Sequence, residues 1–139
     1  MGWTEENISY TVDAVVLSTD GKVLLIKRGG EPYKGSWALP GGYVDPGETS
    51  RKAVARELRE ETSVVAMPVE FTMIGVFDEP DRDPRGRVVS AAYALEVLPN
   101  TEVTADDDAA EAQWWPLSAL PSLAFDHAEI IREAIERVL

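Results

Sequence analysis

The chain has 139 residues and no cysteine, and its 25 acidic and 13 basic residues give a formal net charge of −12. This length allows one domain with a substantial core, so we expect residues 1–139 to fold as a single unit. The acidity argues against binding a nucleic acid polymer, whose phosphates would be repelled. The lack of cysteine excludes disulfides, zinc–thiolate sites and cysteine nucleophiles.

The N-terminal segment gives no sign of export. The first ten residues contain neither a basic segment nor an apolar run. No apolar stretch approaches the roughly 20 residues that cross a bilayer. We therefore expect a cytoplasmic protein whose partner is a small molecule rather than a membrane.

Turn residues, helix formers and β-branched residues predict a chain that mixes strands and helices. The predicted elements are, in chain order, strands at 10–18 and 23–28 joined by a hairpin turn, a helix at 49–62, an extended stretch at 69–77, strands at 88–98 and 112–115, and a final helix after residue 126. For that helix we predict a capping box of Asp126 with Glu129, and a hydrophobic staple of Phe125 with Ile130. Two helices and a mixed sheet at this length favour a sheet sandwiched between helices.

The first predicted helix carries a cluster of acidic side chains. Glu57, Glu60 and Glu61 are three and four residues apart, so their side chains share one helix face with Cβ atoms about 5–6 Å apart. Mg²⁺ is bound by carboxylate oxygens, which this face supplies. The alternative is a solvated helix on whose surface arginine and glutamate merely pair. A surface helix needs neither the Pro40-Gly41-Gly42 turn nor Glu48 ahead of it, which favours the metal site.

The glutamates belong to a longer pattern of fixed spacing. Its positions are Gly42, Glu48, Arg56, Glu57, Leu58, Glu60, Glu61 and Val64, with Ser63 where a ninth position would carry glycine. The pattern resembles the signature of the Nudix hydrolases, which cleave a nucleoside diphosphate linked to another moiety. The resemblance implies an α/β fold, namely an α/β/α sandwich with a mixed sheet between helices.

The resemblance also implies roles for these residues. Glu57 and Glu61 would bind Mg²⁺, or Mn²⁺ in its place, with Glu60 as a further ligand and the Gly41 carbonyl completing the protein's share. Among these, Glu57 and Glu60 are predicted to be catalytic. Arg56 and Glu48 would form a supporting salt bridge.

The general base is predicted outside the signature, as in many relatives. The candidates ahead of the final helix are Asp106, Asp107, Asp108 and Glu111. We choose Glu111, because alternation along its strand would place it and Gln113 on one side with Trp114 opposite. The alternative is a solvated acidic loop and an ordinary strand-end charge. His127, the only histidine, is interpreted as structural rather than as a base.

The expected substrate is ADP-ribose, cleaved to AMP and ribose 5-phosphate. The loop at 78–87 and the segment at 123–127 are similar to segments of microbial ADP-ribose pyrophosphatases, and the latter also occurs in sensor proteins that bind ADP-ribose. The predicted substrate-binding residues are Arg28, Trp37, Arg82, Arg85 and Arg87. Guanidinium binds phosphate in a bidentate fork, although the loop arginines could instead merely offset neighbouring acidic residues.

Two other functions stay open. One is a housecleaning enzyme that hydrolyses damaged or surplus nucleoside triphosphates. The other is a non-catalytic module that senses ADP-ribose or another nucleotide, which the full set of glutamates opposes. The sequence also leaves a homodimer open.

Overall fold

A computed structural model describes residues 6–106 and 109–139. Within these residues, seven strands form one mixed sheet and two α-helices pack against it. The elements are β1 (Ile8–Ser18), β2 (Lys22–Arg28), β3 (Trp37–Ala38), β4 (Gly41–Tyr43), α1 (Ser50–Thr62), β5 (Thr72–Phe77), β6 (Arg87–Val97), β7 (Ala109–Pro116) and α2 (His127–Val138).

The centre of the sheet is the long pair of β1 and β6. The two strands run parallel from Ile8 opposite Arg87 to Ser18 opposite Val97, and β5 then pairs antiparallel with β6. A parallel pair needs a long connection, and this one includes α1. The helix is thereby carried onto a face of the sheet.

The sheet opens between β1 and β2. The hairpin that joins them pairs Leu17 with Val23 and Ser18 with Lys22. Farther from the turn, β1 pairs with β4 and β2 pairs with β3, whereas β7 pairs with β2 along its whole length. The two strands therefore diverge, and the opening between them lies beside the Gly41–Tyr43 strand.

Each helix covers one face of the sheet. Val54 and Leu58 of α1 pack in a cluster with Val12 of β1, whereas Ile130 and Ile131 of α2 belong to a second cluster on β1 and β2. Alternate residues of β1 enter the two clusters, as the period of a strand requires. The predicted α/β/α sandwich with a mixed sheet is confirmed.

The start of α2 differs from the prediction. Asp126 is at the N-cap, but its side chain makes no capping hydrogen bond and instead receives two from Arg82, at 2.9 and 2.7 Å. Phe125 packs against a different hydrophobic cluster from Ile130, so the predicted hydrophobic staple does not form between these two described residues. A buried guanidinium is a stronger partner for the carboxylate than a backbone N–H, which explains why the capping box does not form.

Other boundaries move by a few residues. A 3-10 turn at Pro68–Glu70 occupies the start of the predicted extended stretch, and the last strand is longer than predicted.

None of the described helices has the length and apolar character needed to cross a membrane. That residues 1–139 form one domain stays a prediction.

Candidate active site

The glutamate-bearing helix α1 is closed at both ends by local contacts. The Thr49 side chain accepts a hydrogen bond from the Lys52 backbone at 3.2 Å, which caps the N-terminus. At the C-terminus Ser63 adopts the left-handed conformation, with φ 65°, and its N–H donates to the Arg59 carbonyl at 2.9 Å. Glycine, the residue of the signature at this position, adopts the left-handed conformation without steric cost, and Ser63 adopts it as well.

Two glutamates of α1 contact the Gly41-Gly42 turn, where the bend at Pro40 leads into the first residues of β4. The Gly41 N–H donates to Glu61 Oε1 at 2.8 Å. A side chain at Gly42 would bring its Cβ within 2.6 Å of the Glu57 carboxylate, and one at Gly41 would overlap the Val12 carbonyl. The absence of a side chain at Gly42 therefore lets the turn approach the helix, and its absence at Gly41 lets the turn approach β1.

Arg56 joins the helix to the preceding loop. Its guanidinium donates to Glu48 at 2.8 and 2.9 Å, to Glu57 at 2.9 Å and to the Tyr43 carbonyl at 3.0 Å. The hydrogen bonds from Arg56 lower the pKa of Glu48 to about 2. Burial raises the pKa of Glu57, although Arg56 opposes that shift. Arg56 therefore lies in the position that a supporting salt bridge requires.

The glutamates line a cavity of about 720 Å³ at the opening between β1 and β2. Glu57, Glu60 and Glu61 contribute carboxylates, and Arg28 and Arg85 contribute guanidinium groups. A smaller recess of about 70 Å³ also has Glu61 and both arginines in its lining. Ligand sites in proteins commonly enclose about 300–1,000 Å³, so the cavity suits a nucleotide-sized molecule.

The two arginines lie near an aromatic ring that sequence reasoning did not select. The guanidinium carbons of Arg28 and Arg85 lie 5.1 and 5.7 Å from the centre of the Phe125 ring, and Tyr33 meets the same ring edge-on at 4.7 Å. Burial and the charge of Arg85 lower the pKa of Arg28. The signal for Phe125 was its place in the 123–127 segment, which is similar to segments of ADP-ribose pyrophosphatases, but Phe125 itself was assigned to the hydrophobic staple of the last helix.

Three predicted substrate-binding residues do not line the main cavity and contact other side chains instead. Trp37 packs edge-on against Trp115 at 5.3 Å. Arg87 donates to Glu6 at 3.1 Å. Arg82 lines the recess, but it is buried and paired with Asp126. Of the loop arginines, the structure brings Arg85 to the main cavity, where its guanidinium also binds Asp83 at 2.7 Å.

Glu111 lies on the face of the sheet away from the main cavity. It is opposite Lys27 in the ladder and forms an ion pair with it at 3.3 Å, whereas Ile26 and Arg28 of β2 line the cavity. Alternation on β2 directs Lys27, and with it Glu111, away from those neighbours. The register, which the sequence did not reveal, thus separates Glu111 from the carboxylates. Asp107 and Asp108 lie outside the described residues.

The donor set fits a divalent cation that shares its coordination with a substrate. Among the described residues, no three acidic or imidazole groups are already gathered as a cage. Mg²⁺ typically takes one or two carboxylates and completes its octahedron with water and phosphate oxygens. The glutamates of α1 and the closely approaching Gly41-Gly42 turn meet that requirement.

Comparison with known proteins decides the family. The model of the NUDIX domain matches residues 8–138. The chain belongs to the Nudix family. The recognition of the signature and the prediction of a Nudix hydrolase are confirmed, and Nudix hydrolases use divalent metal ions.

Individual relatives of this Nudix protein carry more specific names. An ADP-ribose pyrophosphatase of Methanocaldococcus jannaschii is 48% identical over 90% of this chain and 72% of its own. The human 8-oxo-dGDP phosphatase NUDT18 is 36% identical over 84% of this chain, but the match spans only 35% of the human protein. The Nudix domain of Shewanella oneidensis NrtR, solved with ADP ribose, has 32% identity and a TM-score of 0.86, covering 96% of this chain and 90% of that one.

Proposed function

We propose that this protein hydrolyses ADP-ribose to AMP and ribose 5-phosphate with Mg²⁺. The observation that carries the proposal is one cavity of about 720 Å³ lined by the glutamates of α1, two arginines and backbone glycines. ADP-ribose joins adenosine to ribose through a diphosphate, whose negative charges a divalent cation and guanidinium groups can bind. The names of the archaeal relative and of the NrtR complex support ADP-ribose as the substrate.

In this proposal Glu57 and Glu61 hold the cation, with Glu60 and the Gly41 carbonyl as further ligands and Mn²⁺ as a substitute. A divalent ion there would neutralise diphosphate oxygens and lower the pKa of a bound water. Arg56 fixes Glu57 through a hydrogen bond of 2.9 Å. Its second partner, Glu48, ties this arrangement to the loop ahead of the helix.

Arg28 and Arg85 are proposed to bind the part of the substrate beyond the first phosphate. Arg85 keeps its charge beside Asp83, whose hydrogen bonds with it raise the pKa of the guanidinium. Arg28 is fixed by a hydrogen bond of 2.7 Å from its Nε to the Pro32 carbonyl. Both arginines retain further N–H donors for phosphate or ribose oxygens, since each guanidinium carries five.

For the proton acceptor we propose Glu60 rather than Glu111. The Glu60 side chain is 35% exposed and lines the cavity, so water can reach it. Both glutamates have a basic partner, Arg56 for Glu60 and Lys27 for Glu111, but Glu111 lies on the face of the sheet away from the main cavity. Glu60→Gln should therefore lower the turnover number by at least about a hundredfold, while Glu111→Gln should change it less than about threefold. The opposite ranking would return the role to Glu111.

Oxidised nucleotides are the second candidate substrates, because a human relative is an 8-oxo-dGDP phosphatase. The deciding experiment incubates the purified protein with Mg²⁺ and ADP-ribose, 8-oxo-dGDP, 8-oxo-dGTP or unmodified triphosphates, and identifies the products by mass. We expect the highest kcat/KM for ADP-ribose. A higher value for an oxidised nucleotide would favour housecleaning, and binding of ADP-ribose without turnover would favour a sensor. A homodimer stays a proposal that analytical ultracentrifugation tests.

A further inference from the structure

A buried polar network lies beneath the Gly41-Gly42 turn. Asp13 of β1 is at its centre, and its carboxylate accepts from Ser90 at 2.5 Å. Arg82 approaches the same carboxylate at 3.9 Å, and His127 Nε2 lies 3.4 Å from its other oxygen. All four side chains are buried. The network thus joins β1, β6, the 78–87 loop and the start of α2.

His127 has a second partner in the backbone of the turn. The Leu39 N–H donates to His127 Nδ1 at 3.0 Å. Because Nδ1 accepts a hydrogen bond, the neutral ring carries its proton on Nε2, where it faces Asp13. Burial lowers the pKa of His127, which favours this neutral form. The imidazole therefore spans the space between an anchored carboxylate and the residue that begins the turn.

The turn itself is held on several sides. The Pro40 carbonyl accepts from the Ala14 N–H at 2.8 Å, and the Gly41 N–H donates to Glu61 at 2.8 Å. The contact of Leu39 with His127 lies two residues before Gly41. A displacement of Leu39 would therefore shift Gly41, whose N–H donates to Glu61 and whose carbonyl belongs to the proposed metal site.

We propose that His127 is a positioning residue for the metal site: its Nδ1 fixes Leu39 and thereby holds the Gly41 turn against Glu61. The inference rests on the proposed function, since the metal site is part of that proposal. Groups that orient metal ligands from outside the coordination sphere typically change metal affinity by about 10–100-fold when they are removed. His127 acts on no reacting atom, so it is not a catalytic residue.

Two isosteric substitutions separate the two contacts of the ring. In His127→Asn the amide oxygen can occupy the place of Nδ1 and accept from Leu39, while the contact with Asp13 is lost. In His127→Gln the longer amide reaches the place of Nε2 and keeps the contact with Asp13, while Leu39 loses its acceptor. His127→Leu removes both contacts and keeps an apolar side chain of similar bulk.

The experiment measures Mn²⁺ binding to the substrate-free protein by electron paramagnetic resonance, together with kcat and KM for ADP-ribose at saturating Mg²⁺. We expect His127→Gln and His127→Leu to bind Mn²⁺ at least about tenfold more weakly, and His127→Asn to stay within about threefold of the wild type. Saturating Mg²⁺ should restore most of the activity of the weakened variants. If His127→Leu does not fold, the Asn and Gln variants still decide.

Two controls separate the outcomes. Ile131→Val removes a methyl group from the buried face of the same helix and should leave Mn²⁺ binding unchanged. Glu57→Gln should abolish strong binding. Wild-type affinity in His127→Gln, or equal weakening in His127→Asn and His127→Gln, would overturn the positioning role alone. No Mn²⁺ binding by the wild-type protein, either alone or with the phosphate-bearing product AMP present, would overturn the proposed metal site and this inference with it.

Discussion

Gly42→Ala tests the metal site through a contact that only this fold creates. The backbone of Gly42 does not lie in the left-handed region, so alanine is conformationally allowed. The new Cβ would, however, lie 2.6 Å from the carboxylate carbon of Glu57, where ordinary contact begins at 3.4 Å. The carboxylate must therefore move by about 0.8 Å, since Gly42 belongs to a paired strand and the glutamate tip is the more flexible partner.

The expected loss follows from that displacement. Misplacing a group at the reaction centre by about 1 Å can cost about 100-fold in rate, so we expect kcat/KM for ADP-ribose to fall by about 30–100-fold. The half-saturating Mg²⁺ concentration should rise as well. Stability should fall by about 1 kcal/mol, the lower end of the cost of overpacking, because a side-chain tip can yield.

The assay measures initial rates against Mg²⁺ concentration, with urea unfolding to record stability. Gly75→Ala is the matched control: Gly75 lies on β5, and a Cβ added there meets nothing within 4 Å. Its kcat/KM should stay within about twofold of the wild type.

A double-mutant cycle assigns the loss to Glu57. Glu57→Gln alone should reduce turnover by at least about a hundredfold, and adding Gly42→Ala to it should cost less than about threefold more, because the two changes act through one carboxylate. Full additivity, or a Gly42→Ala enzyme with unchanged Mg²⁺ dependence, would refute the reasoning.

Three further predictions concern specificity, pH and the helix end. Arg85→Ala should weaken ADP-ribose hydrolysis by about 1.5–3 kcal/mol and triphosphate hydrolysis less, whereas Arg87→Ala should spare both; equal losses in the two variants would contradict this. The pKa of Glu48 is about 2 in the folded protein, against an ordinary value of 4.5. The stability that Glu48 contributes is therefore complete above pH 4.5 and is lost as the pH falls towards 2. Urea unfolding across this range should show a smaller loss of unfolding free energy in Glu48→Gln than in the wild type. Ser63→Gly relieves about 1 kcal/mol of left-handed strain but loses the 2.6 Å hydrogen bond to Thr104, so its melting temperature should stay within about 2 °C of the wild type. Ser63→Ala loses the hydrogen bond without relieving the strain, so it should melt at a lower temperature.

The sequence determined what depends on neighbouring residues. The spacing of Glu57, Glu60 and Glu61 fixed a shared helix face, because the period of an α-helix is a local property. The hairpin of β1 and β2 was equally clear from turn chemistry. Even the left-handed conformation of Ser63 was foreseeable, since the geometry of a helix end is set within a few residues.

Tertiary structure decided which distant residues meet. The Asp126 side chain does not cap α2 as predicted, because its carboxylate accepts hydrogen bonds from Arg82, 44 residues earlier in the chain. Glu111 faces away from the main cavity because the register of β7 places it opposite Lys27, and a change of register by one residue would reverse the face. Arg85 reaches the cavity, whereas Arg87, two residues later, pairs with Glu6. Local periodicity cannot determine such pairings, because each depends on where another element of the fold lies.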